Sequence, residues 1–404
     1  MKIAITCPAS LPATQFGGIM FLAIHIGKNL SNNGHDITIY TTDLDFANNS
    51  DTFNKKLPKS EKINNFLIKR SHVIFSKFLF FVNPEMYFQM MKDDIDIIHA
   101  IGIRSFQALI AIIVSKRKKI PLVITDQGGL TTHPDLLDGN FLKKILIKIQ
   151  EPMIKLIIKN SSAIIVPNKY ENDIFSHYTN QKKIHIVRNG IDLDELKSSN
   201  FNFKSHYKIN KKFLLFLGRF HHVKGIDILL SAINEIKSEP ILKNYIFVIM
   251  GVDFGYEKEM ESIVKKLDLL DMVKIIKNPP RVHVLSAYNE AEFLILPSRW
   301  ELSPLTHLEG FAFKKTVIST KSHGIPYTVE NNVNSILVEN EDSKELGNAI
   351  LDLARNKIKR DQLAEAGFMF VQNIANSKKM VEEIYQIYNQ VLNKSKMEQS
   401  YEKR

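Results

Sequence analysis

A predicted helix start in the second half of the chain has the features of an anion-binding site. Residues 297–310 read PSRWELSPLTHLEG and follow the apolar run AEFLILP. Ser303 is a favoured N-cap residue, and Pro304 suits the first helical position because a helix does not use the N–H group there. The amides of Leu305 and Thr306, together with the helix dipole, would attract an anion such as phosphate.

Two carboxylates flank this helix start. Glu301 stands just before it, and Glu309, eight positions later, lies more than one turn into the helix. A carboxylate beside an anion site is costly unless it accepts hydrogen bonds, which the hydroxyl groups of a sugar or a ribose would donate. The pair therefore favours a ligand that carries both phosphate and polyol groups. The structural alternative is a solvated Glu301 and a Glu309 paired with a neighbouring lysine.

A cationic loop follows a second apolar run, FLLFLG. The segment 217–225 reads LGRFHHVKG and opens a further predicted helix. Arg219 offers a planar fork and Lys224 a mobile point charge, so the two would neutralise a diphosphate and stabilise it as a leaving group. Alternatively, both are ordinary surface cations.

A pair of glycines precedes the first predicted helix. Gly17 and Gly18, in the sequence FGGIM, would allow the backbone to approach a ligand closely. Gly-Gly alone is more typical of a turn, and the segment does not match the GxGxxG pattern of a nicotinamide dinucleotide site.

The elements that must position these residues alternate between strand and helix. A helix predicted over 19–34 lies between strands predicted over 2–6 and 35–43, and this βαβ opening favours a parallel sheet covered by helices. Further strands are predicted over 96–100, 121–125, 162–167, 183–190, 213–218, 245–251, 272–276, 291–297 and 316–320. Residues 44–72 carry no clear period. Two tandem α/β domains of this kind would leave a cleft in which ligands lie at the carboxyl ends of strands.

Composition limits the class of protein. The chain has 404 residues, 44% hydrophobic and 24% charged, which describes a globular protein too long for one ordinary core. The single cysteine, Cys7, excludes an internal disulfide framework and a cysteine-cluster zinc site. It suits a reducing cytoplasm. The first residues lack a secretory apolar region and no apolar run reaches the length of a membrane span, so we expect a cytoplasmic protein.

The chain is basic, with a net charge of +11 from 54 Lys and Arg against 43 Asp and Glu. Anionic small substrates, an anionic membrane surface or nucleic acid would suit this charge, and solubility alone would also explain it. The sequence has no zinc-finger spacing and no aromatic-rich RNA signature, so we do not predict a nucleic-acid partner.

One predicted helix, over 140–160, is basic and amphipathic. It either lies on anionic lipid at the inner face of the membrane or packs on the core with a solvated lysine face. Pro152 would kink it and slightly weaken the membrane interpretation. Its lysines are Lys143, Lys144, Lys148, Lys155 and Lys159.

Three of these segments, namely the Gly-Gly loop, the cationic loop 217–225 and the helix start 297–310, occur in this order on two predicted α/β domains. In this arrangement they resemble the retaining glycosyltransferases of family 4, which have the GT-B architecture. The resemblance covers nearly the whole chain. The motifs that carry it are the Gly-Gly loop, DIIHA (96–100), VRNGID (187–192), LGRFHHVKG (217–225), ELSPLTHLE (301–309) and HGIPYTVENNVNSILV (323–338). The resemblance implies a GT-B fold, in which two doubly wound Rossmann-like domains face a deep cleft.

The resemblance also implies domain roles. We expect an N-terminal acceptor-side domain over 1–197, a polar linker over 198–211 and a nucleotide-sugar-binding domain over 212–375. A C-terminal helix over 376–404 would cross back to the N-terminal domain.

By position, the resemblance assigns roles to the donor-site residues. Glu309 would bind ribose hydroxyls, Glu301 would hold the donor sugar's hydroxyls, and Arg219 with Lys224 would grip the diphosphate. The remaining substrate-binding positions are Gly17 and Gly18, which would approach the phosphates as the cleft closes, and Ser303, Pro304, Leu305 and Thr306 at the helix start.

Members of the family need no metal and no cofactor, since the nucleotide-sugar is the donor substrate. Asp-x-Asp does occur at 43–45 and 192–194, and we interpret both as loop or helix-start residues.

The sequence departs from the family beside the predicted strand PLVIT. A histidine that contacts the donor sugar usually follows this strand, whereas here the segment TDQGGLTTHPD places Gln127 there, with Asp126 beside it and His133 further on. Asp126 would accept an acceptor proton or support developing positive charge on the sugar. Both Asp126 and Gln127 remain open to interpretation as plain loop residues.

The sequence therefore predicts a metal-independent, retaining glycosyltransferase that moves a sugar from a nucleoside-diphosphate donor to an acceptor hydroxyl, with a glycan or lipid-linked acceptor. Catalytic candidates are Glu301, Asp126, Gln127, Arg219 and Lys224. Two alternatives stay open: a GT-B nucleotide-sugar epimerase and a non-catalytic nucleotide-sugar-binding subunit.

Overall fold

The computed structural model divides the chain into two compact units. The first holds Met1–Asn189 together with Ser377–Arg404, and the second holds Gly190–Asn376. The structure describes residues 1–46, 52–77, 79–128, 130, 141–197 and 200–402. Each unit is an open, largely parallel sheet covered by helices, so the predicted pair of doubly wound, Rossmann-like α/β domains is confirmed.

The first unit is built on an eight-stranded sheet in the order β12-β11-β10-β9-β1-β2-β6-β5. Its strands are parallel except for the β5–β6 hairpin. Several of them are buried along their whole length because helices cover both faces of the sheet. The strands are β1 (Lys2–Thr6), β2 (Asp36–Thr42), β5 (Ser60–Ile63), β6 (Phe66–Ser71), β9 (Ile97–Ile101), β10 (Leu122–Thr125), β11 (Ala163–Val166) and β12 (Ile184–Ile186).

Short hairpins and helices complete this unit. Strand β3 (Leu44–Phe46) pairs with β4 (Thr52–Phe53), and β7 (Phe75–Lys77) pairs with β8 (Phe80–Val82). The helices are α1 (Gly18–Asn32), α2 (Glu85–Lys92), α3 (Phe106–Lys118), α4 (Phe141–Asn160), α5 (Lys169–Ser176) and α14 (Ser377–Glu402). Helix α4 continues through Pro152.

The last helix belongs to the first unit although it follows the second unit in sequence. Met380, Ile384 and Tyr388 of α14 lie in the same hydrophobic cluster as strand residues of the first sheet. Buried His99 on β9 shares hydrogen bonds with the Tyr388 hydroxyl and with Thr125 Oγ1, each at 2.6 Å. These contacts attach the helix to the centre of the sheet.

The second unit is built on a six-stranded parallel sheet in the order β15-β14-β13-β16-β17-β18. The strands are β13 (Lys212–Leu217), β14 (Tyr245–Gly251), β15 (Val273–Lys277), β16 (Leu294–Leu296), β17 (Val317–Thr320) and β18 (Ser335–Val338). The helices are α6 (Phe203–His206), α7 (Ile226–Ile236), α8 (Glu257–Lys266), α9 (Arg281–Glu290), α10 (Leu305–Ala312), α11 (Ile325–Thr328), α12 (Ser343–Arg355) and α13 (Lys357–Asn373).

Two sequence-based expectations about organisation need correction. The unit boundary lies at Gly190 rather than after residue 197, and the predicted linker over 198–211 contains helix α6. The linker prediction fails because Phe203 is fully buried in the core of the second unit, which polar composition alone does not reveal. The stretch 44–72, left without assignment, contains the β5–β6 hairpin.

Every helix among the described residues is either too short or too polar to span a lipid bilayer.

Candidate functional site

Two loops lie side by side at the carboxyl ends of the adjacent strands β13 and β16. The Arg299 amide donates to Val223 O at 2.8 Å, which joins the loops through their backbones. Gly225 has a φ of +66°, and a Cβ atom there would lie 2.0 Å from Pro297 O. Only glycine permits this approach, so the cationic loop 217–225 is held against the loop that carries Glu301.

Arg299 fixes the same junction with its side chain. Its guanidinium donates to both carboxylate oxygens of Asp227 at 2.7 and 2.6 Å, and to His222 O at 2.8 Å. Asp227 lies in the first turn of α7, so this bidentate pair ties one loop to the helix that follows the other. Sequence reasoning missed Arg299, since a single arginine after a strand has no distinguishing pattern.

Lys224 and Glu301 form an ion pair across the two loops. Lys224 Nζ donates to Glu301 Oε1, and the two side chains are only 17% and 16% exposed. Burial alone would raise the pKa of Glu301, but the charge and hydrogen bond of Lys224, with a smaller contribution from the Arg219 charge, lower that pKa below its usual value. The structure thus brings Lys224 and Glu301 into contact, with Arg219 near enough for its charge to act on Glu301, and Glu301 is ionised at neutral pH.

Arg219 is supported from one side by an aromatic ring. Its guanidinium carbon lies 5.0 Å from the centre of the Phe254 ring, in a cation–π contact. At the nearby turn, His221 Nδ1 accepts from the Val223 amide at 3.2 Å. This bond gives His221 a structural role in shaping the loop.

The backbone around Glu301 is held from its other side by the segment after β17. Gly324 N donates to Glu301 O at 2.9 Å, and the Ser322 hydroxyl donates to Arg299 O. A Cβ atom on Gly324 would lie 1.9 Å from Leu302 O. The HGIP motif therefore acts as a support for the Glu301 loop, which explains the need for glycine in it.

The helix start differs by one position from the prediction. Helix α10 begins at Leu305, and Pro304 is its N-cap with an extended ψ of 120°. Ser303 is therefore not the N-cap, and Pro304 is not the first helical residue. Pro304 offers no side-chain acceptor, and α10 has no side-chain cap hydrogen bond. The first amides, including those of Leu305 and Thr306, consequently depend on some other acceptor, as an anion-binding helix start requires.

Glu309 lies on α10, four residues after Leu305 and so about 6 Å further along the helix axis. Its carboxylate accepts two hydrogen bonds from the Arg281 guanidinium of α9, at 2.6 and 3.2 Å. Its side chain is 14% exposed, whereas that of Arg281 is 44% exposed. The predicted alternative of a lysine partner is wrong, because the partner is an arginine that sequence reasoning did not select.

His307 lies on α10, between Glu301 and Glu309 in sequence, and is buried. Its Nε2 atom lies 2.8 Å from the Ser319 hydroxyl, which donates to Leu296 O. Burial lowers the pKa of His307 to about 4 although the nearby Glu301 charge opposes this shift. The imidazole is therefore neutral at pH 7.

In the first unit, the glycine pair stands at the start of α1. Gly17 is the N-cap, and its φ of 90° is a conformation that glycine adopts without strain. A Cβ atom at Gly17 would meet nothing within 4 Å. Gly18 is the first residue of the helix. The backbone here faces open space, as close approach of a ligand would require.

Asp126 and Gln127 follow β10, and each has a partner inside the first unit. Asp126 is 1% exposed, and its Oδ1 atom accepts from the Ile103 amide at 3.3 Å. Gln127 and Asn189 exchange two amide hydrogen bonds at 3.1 and 2.9 Å. Asn189 belongs to the VRNGID motif, so this motif supports the loop after β10. His133 lies outside the described residues.

A second buried carboxyl group, Glu171, accompanies Asp126. Glu171 is 2% exposed and accepts from the Gly128 amide at 2.8 Å. Burial and the charge of Asp126 raise the pKa of Glu171 well above its usual value. Sequence reasoning missed this residue, because a glutamate three positions into a helix has the appearance of a capping residue.

No group of His, Cys, Asp and Glu side chains within the described residues is arranged to hold a metal ion. The two Asp-x-Asp stretches have other partners. Asp43 contacts the His72 ring at 2.6 Å, Asp45 accepts from Asn54 at 3.0 Å, and Asp192 accepts from the Asp194 amide at 3.0 Å.

Comparison with known proteins covers both units. The family model described as Glycosyltransferase Family 4 matches residues 16–195, and the one described as Glycosyl transferases group 1 matches residues 198–369. A glycosyltransferase of Methanocaldococcus jannaschii is 31% identical over 236 residues, which are 55% of this chain and 64% of that protein. The match therefore spans a little less than two thirds of that relative's length.

Solved structures of similar fold cover nearly the whole chain. Sucrose-phosphate synthase from Thermosynechococcus elongatus superposes with a TM-score of 0.75 at 17% identity, covering 97% of this chain and 99% of that one. The Anabaena protein HepE, solved with UDP and glucose, superposes with a TM-score of 0.74 at 17% identity, covering 96% of this chain and 99% of that one. At these identities the likeness establishes the fold alone.

Proposed function

The chain belongs to glycosyltransferase family 4 and has the GT-B fold, and from this premise we propose that it transfers a sugar from a nucleoside-diphosphate-sugar to an acceptor hydroxyl. The observation that carries the proposal is the Lys224–Glu301 ion pair at adjacent strand ends, where the charge of Arg219 also acts on Glu301. This cluster offers two cations for a diphosphate and a carboxylate for sugar hydroxyls. The UDP and glucose bound by HepE are in keeping with such a donor.

The donor would exchange ion pairs as it binds. Lys224 is already partly desolvated against Glu301, so a diphosphate would take over its ammonium group without a large further desolvation cost. Glu301, released from Lys224, would then accept hydrogen bonds from the donor sugar. Arg219 and the first amides of α10 would hold the remaining phosphate oxygens.

Catalysis would come from stabilising the leaving diphosphate. As the bond between the anomeric carbon and the phosphate oxygen breaks, negative charge grows on the diphosphate and positive charge on the sugar ring. The negative charge on the diphosphate would be stabilised by Arg219, Lys224 and the helix start, since fixed charges and dipoles need no reorganisation during the reaction. Glu301 would lie near the positive charge on the sugar ring. We propose transfer with retention, in keeping with the family resemblance, and we assign no protein nucleophile and no metal.

Glu309 would recognise the ribose. Each carboxylate oxygen has lone pairs beyond those that Arg281 occupies, so hydroxyl groups can still donate to it. Arg281 would hold the carboxylate in place for this task.

In the first unit, Asp126, Gln127 and the glycines 17 and 18 remain the proposed contributors. The burial of Asp126 favours a role in shaping the loop after β10, with Gln127 nearest to the substrate. A sugar contact of Gln127 would be made by its amide group while Asn189 fixes the orientation of that amide.

We also propose peripheral association with an anionic membrane surface that carries the acceptor. Helix α4 buries Ile154, Ile157 and Ile158 and exposes Ile149 and Leu156. On its exposed face Lys148, Lys155 and Lys159 are all solvent-accessible. The buried face agrees with packing on the core, and the exposed lysine face supports the proposed contact with lipid. The side chains of Lys143 and Lys144 lie outside the described residues.

The test is a thermal-shift panel of nucleoside diphosphates and nucleotide-sugars, followed by assay of the stabilising donor with hydroxyl acceptors. A specific ligand raises the melting temperature. Transfer to an acceptor, with the anomeric configuration of the product read by NMR, supports the proposal. Conversion of the donor sugar to its epimer without an acceptor would favour the epimerase, and tight binding without release of nucleoside diphosphate would favour a binding subunit.

A further inference from the structure

The hairpin formed by β7 and β8 presents apolar side chains to solvent. Ile74, Phe75 and Leu79 are 69%, 56% and 51% exposed. Soluble proteins expose single apolar residues routinely, but contiguous exposed groups of this size mark interaction surfaces. The three residues fall within six positions of one short hairpin, and they are called the apolar patch below.

The opposite side of the hairpin is firmly attached to the first unit. Phe81 is fully buried and lies against Phe53 and Phe16, with ring centres 5.3 and 6.1 Å apart. Gln107 donates to Phe81 O at 2.9 Å. The apolar patch therefore belongs to a hairpin that is fixed to the first unit by packing and by a hydrogen bond.

The hairpin and helix α4 both contact the start of α3. Phe80 packs edge-on against Phe106, with ring centres 6.1 Å apart. Just before α3, Arg104 donates to Gln150 of α4 at 3.3 Å. The exposed Ile149, next to Gln150, therefore lies at the same end of α3 as the hairpin.

Cationic side chains accompany both apolar groups. Lys77 on the hairpin and Lys148 on α4 are exposed, and each is within three residues of an exposed apolar side chain. Apolar side chains flanked by lysines suit the boundary between the headgroups and the acyl chains of an anionic bilayer. The net charge of +11 has the matching sign.

We propose that the hairpin, through Ile74, Phe75 and Leu79, inserts into an anionic lipid bilayer beside α4. The hairpin supplies the apolar contact, and Lys77 and Lys148 supply the attraction to lipid headgroups. It emerges directly after the carboxyl end of β6, the edge of the sheet at which Gly17 also lies, so the bilayer would face the ligand edge of the first unit. The inference rests on the proposed function only in that the lipid would carry the acceptor.

The first experiment measures insertion directly. Cys7 is fully buried, so a Ser76→Cys variant can be labelled selectively with an environment-sensitive fluorophore. The matched control is Ser238→Cys, an exposed serine of the second unit. We expect a blue shift at position 76 on adding vesicles of phosphatidylcholine with phosphatidylglycerol, a smaller shift with phosphatidylcholine alone, and none at position 238. No shift at position 76 with the anionic vesicles would overturn the proposal.

The second experiment separates the hairpin from other exposed apolar residues. The double substitution Phe75→Ser with Leu79→Ser should weaken binding to the same anionic vesicles at least about a hundredfold, since burial of each side chain is worth about tenfold or more. Phe88→Ser is the control, because Phe88 is 61% exposed in the same unit but its neighbour Tyr87 contacts Arg117 at the other end of α3.

A wild-type circular dichroism spectrum and a cooperative thermal unfolding transition show that the double variant is folded, and these readouts depend on neither vesicles nor nucleotide. Equal loss of vesicle binding in Phe88→Ser and in the hairpin variant would contradict the proposal. So would unchanged vesicle binding by the hairpin variant together with a change in its sedimentation, which would assign the patch to self-association. If the wild-type protein binds vesicles but transfers no sugar, the result would count against the proposed activity and not against lipid insertion.

Discussion

Lys224 and Glu301 form an ion pair in which more than four fifths of each side chain is buried. The two residues come from loops that follow different strands, 77 positions apart in sequence. Arg219 contributes to the same electrostatic environment. A pair held in this way stabilises the empty site and places both charges where a donor would need them.

Breaking this pair should cost stability in a non-additive manner. Lys224→Met leaves a buried carboxylate without its partner, and Glu301→Gln leaves a buried ammonium group, so each should lower the free energy of unfolding of the second unit by about 3 kcal/mol. The double variant removes both charges and should lose less than the sum. Denaturant unfolding of all four proteins measures the coupling, and additivity to within about 0.5 kcal/mol would show that the pair contributes nothing.

Glu309→Ala should weaken the binding of nucleoside diphosphates without affecting inorganic pyrophosphate. The proposed contact is to ribose, which pyrophosphate lacks. We expect about a tenfold or greater loss of affinity for the nucleotide, because the ribose hydroxyls would lose a charged acceptor. Calorimetric titration with both ligands measures this, and Glu365→Ala on α13 is an exposed control. Equal loss for both ligands would place Glu309 at the phosphates instead.

Glu171 should make the first unit less stable as the pH rises. Its folded-state pKa is raised, so the folded protein retains a proton that the unfolded chain releases above its ordinary pKa. Stability is therefore complete below that ordinary value and falls as the pH rises through the folded-state pKa. Glu171→Gln keeps an acceptor for the Gly128 amide and should flatten the decline between pH 5 and pH 8. The exposed Glu151→Gln should leave the slope unchanged, and a similar slope in Glu171→Gln would refute this assignment.

His99 should produce the opposite trend at acid pH. Burial lowers the pKa of His99 to about 3, whereas the unfolded chain protonates near its ordinary value of 6.5. Its contribution is present above pH 6.5 and is lost as the pH falls toward 3, by about 3 kcal/mol at pH 4. His99→Gln removes this titration, so its unfolding midpoint should fall less steeply from pH 7 to pH 4. Parallel curves for the two proteins would contradict the prediction.

The sequence allowed the strand–helix alternation to be predicted well, because buried parallel strands such as Tyr245–Gly251 are short apolar runs bounded by glycine and polar residues. It also indicated that Lys224 and Glu301 each follow a strand, but their ion pair depends on β13 and β16 being neighbours in the sheet, which the sequence did not predict. The partners Arg299, Arg281 and Glu171 were not predictable, since each depends on a contact between distant segments. The N-cap of α10 was misplaced by one residue because Pro304 adopts an extended ψ that its residue type does not dictate.

The central claim is that Arg219 and Lys224 hold the diphosphate of a nucleotide donor. The most direct measurement is calorimetric titration of the best-binding nucleoside diphosphate into the wild type, the Arg219→Ala/Lys224→Ala variant and a Lys265→Ala/Lys266→Ala control on the exposed end of α8. The account predicts unchanged affinity in the control and a loss of about a hundredfold or more in the first variant, since two charge-assisted contacts disappear. Wild-type affinity in the Arg219→Ala/Lys224→Ala variant, with its fold intact, would contradict it.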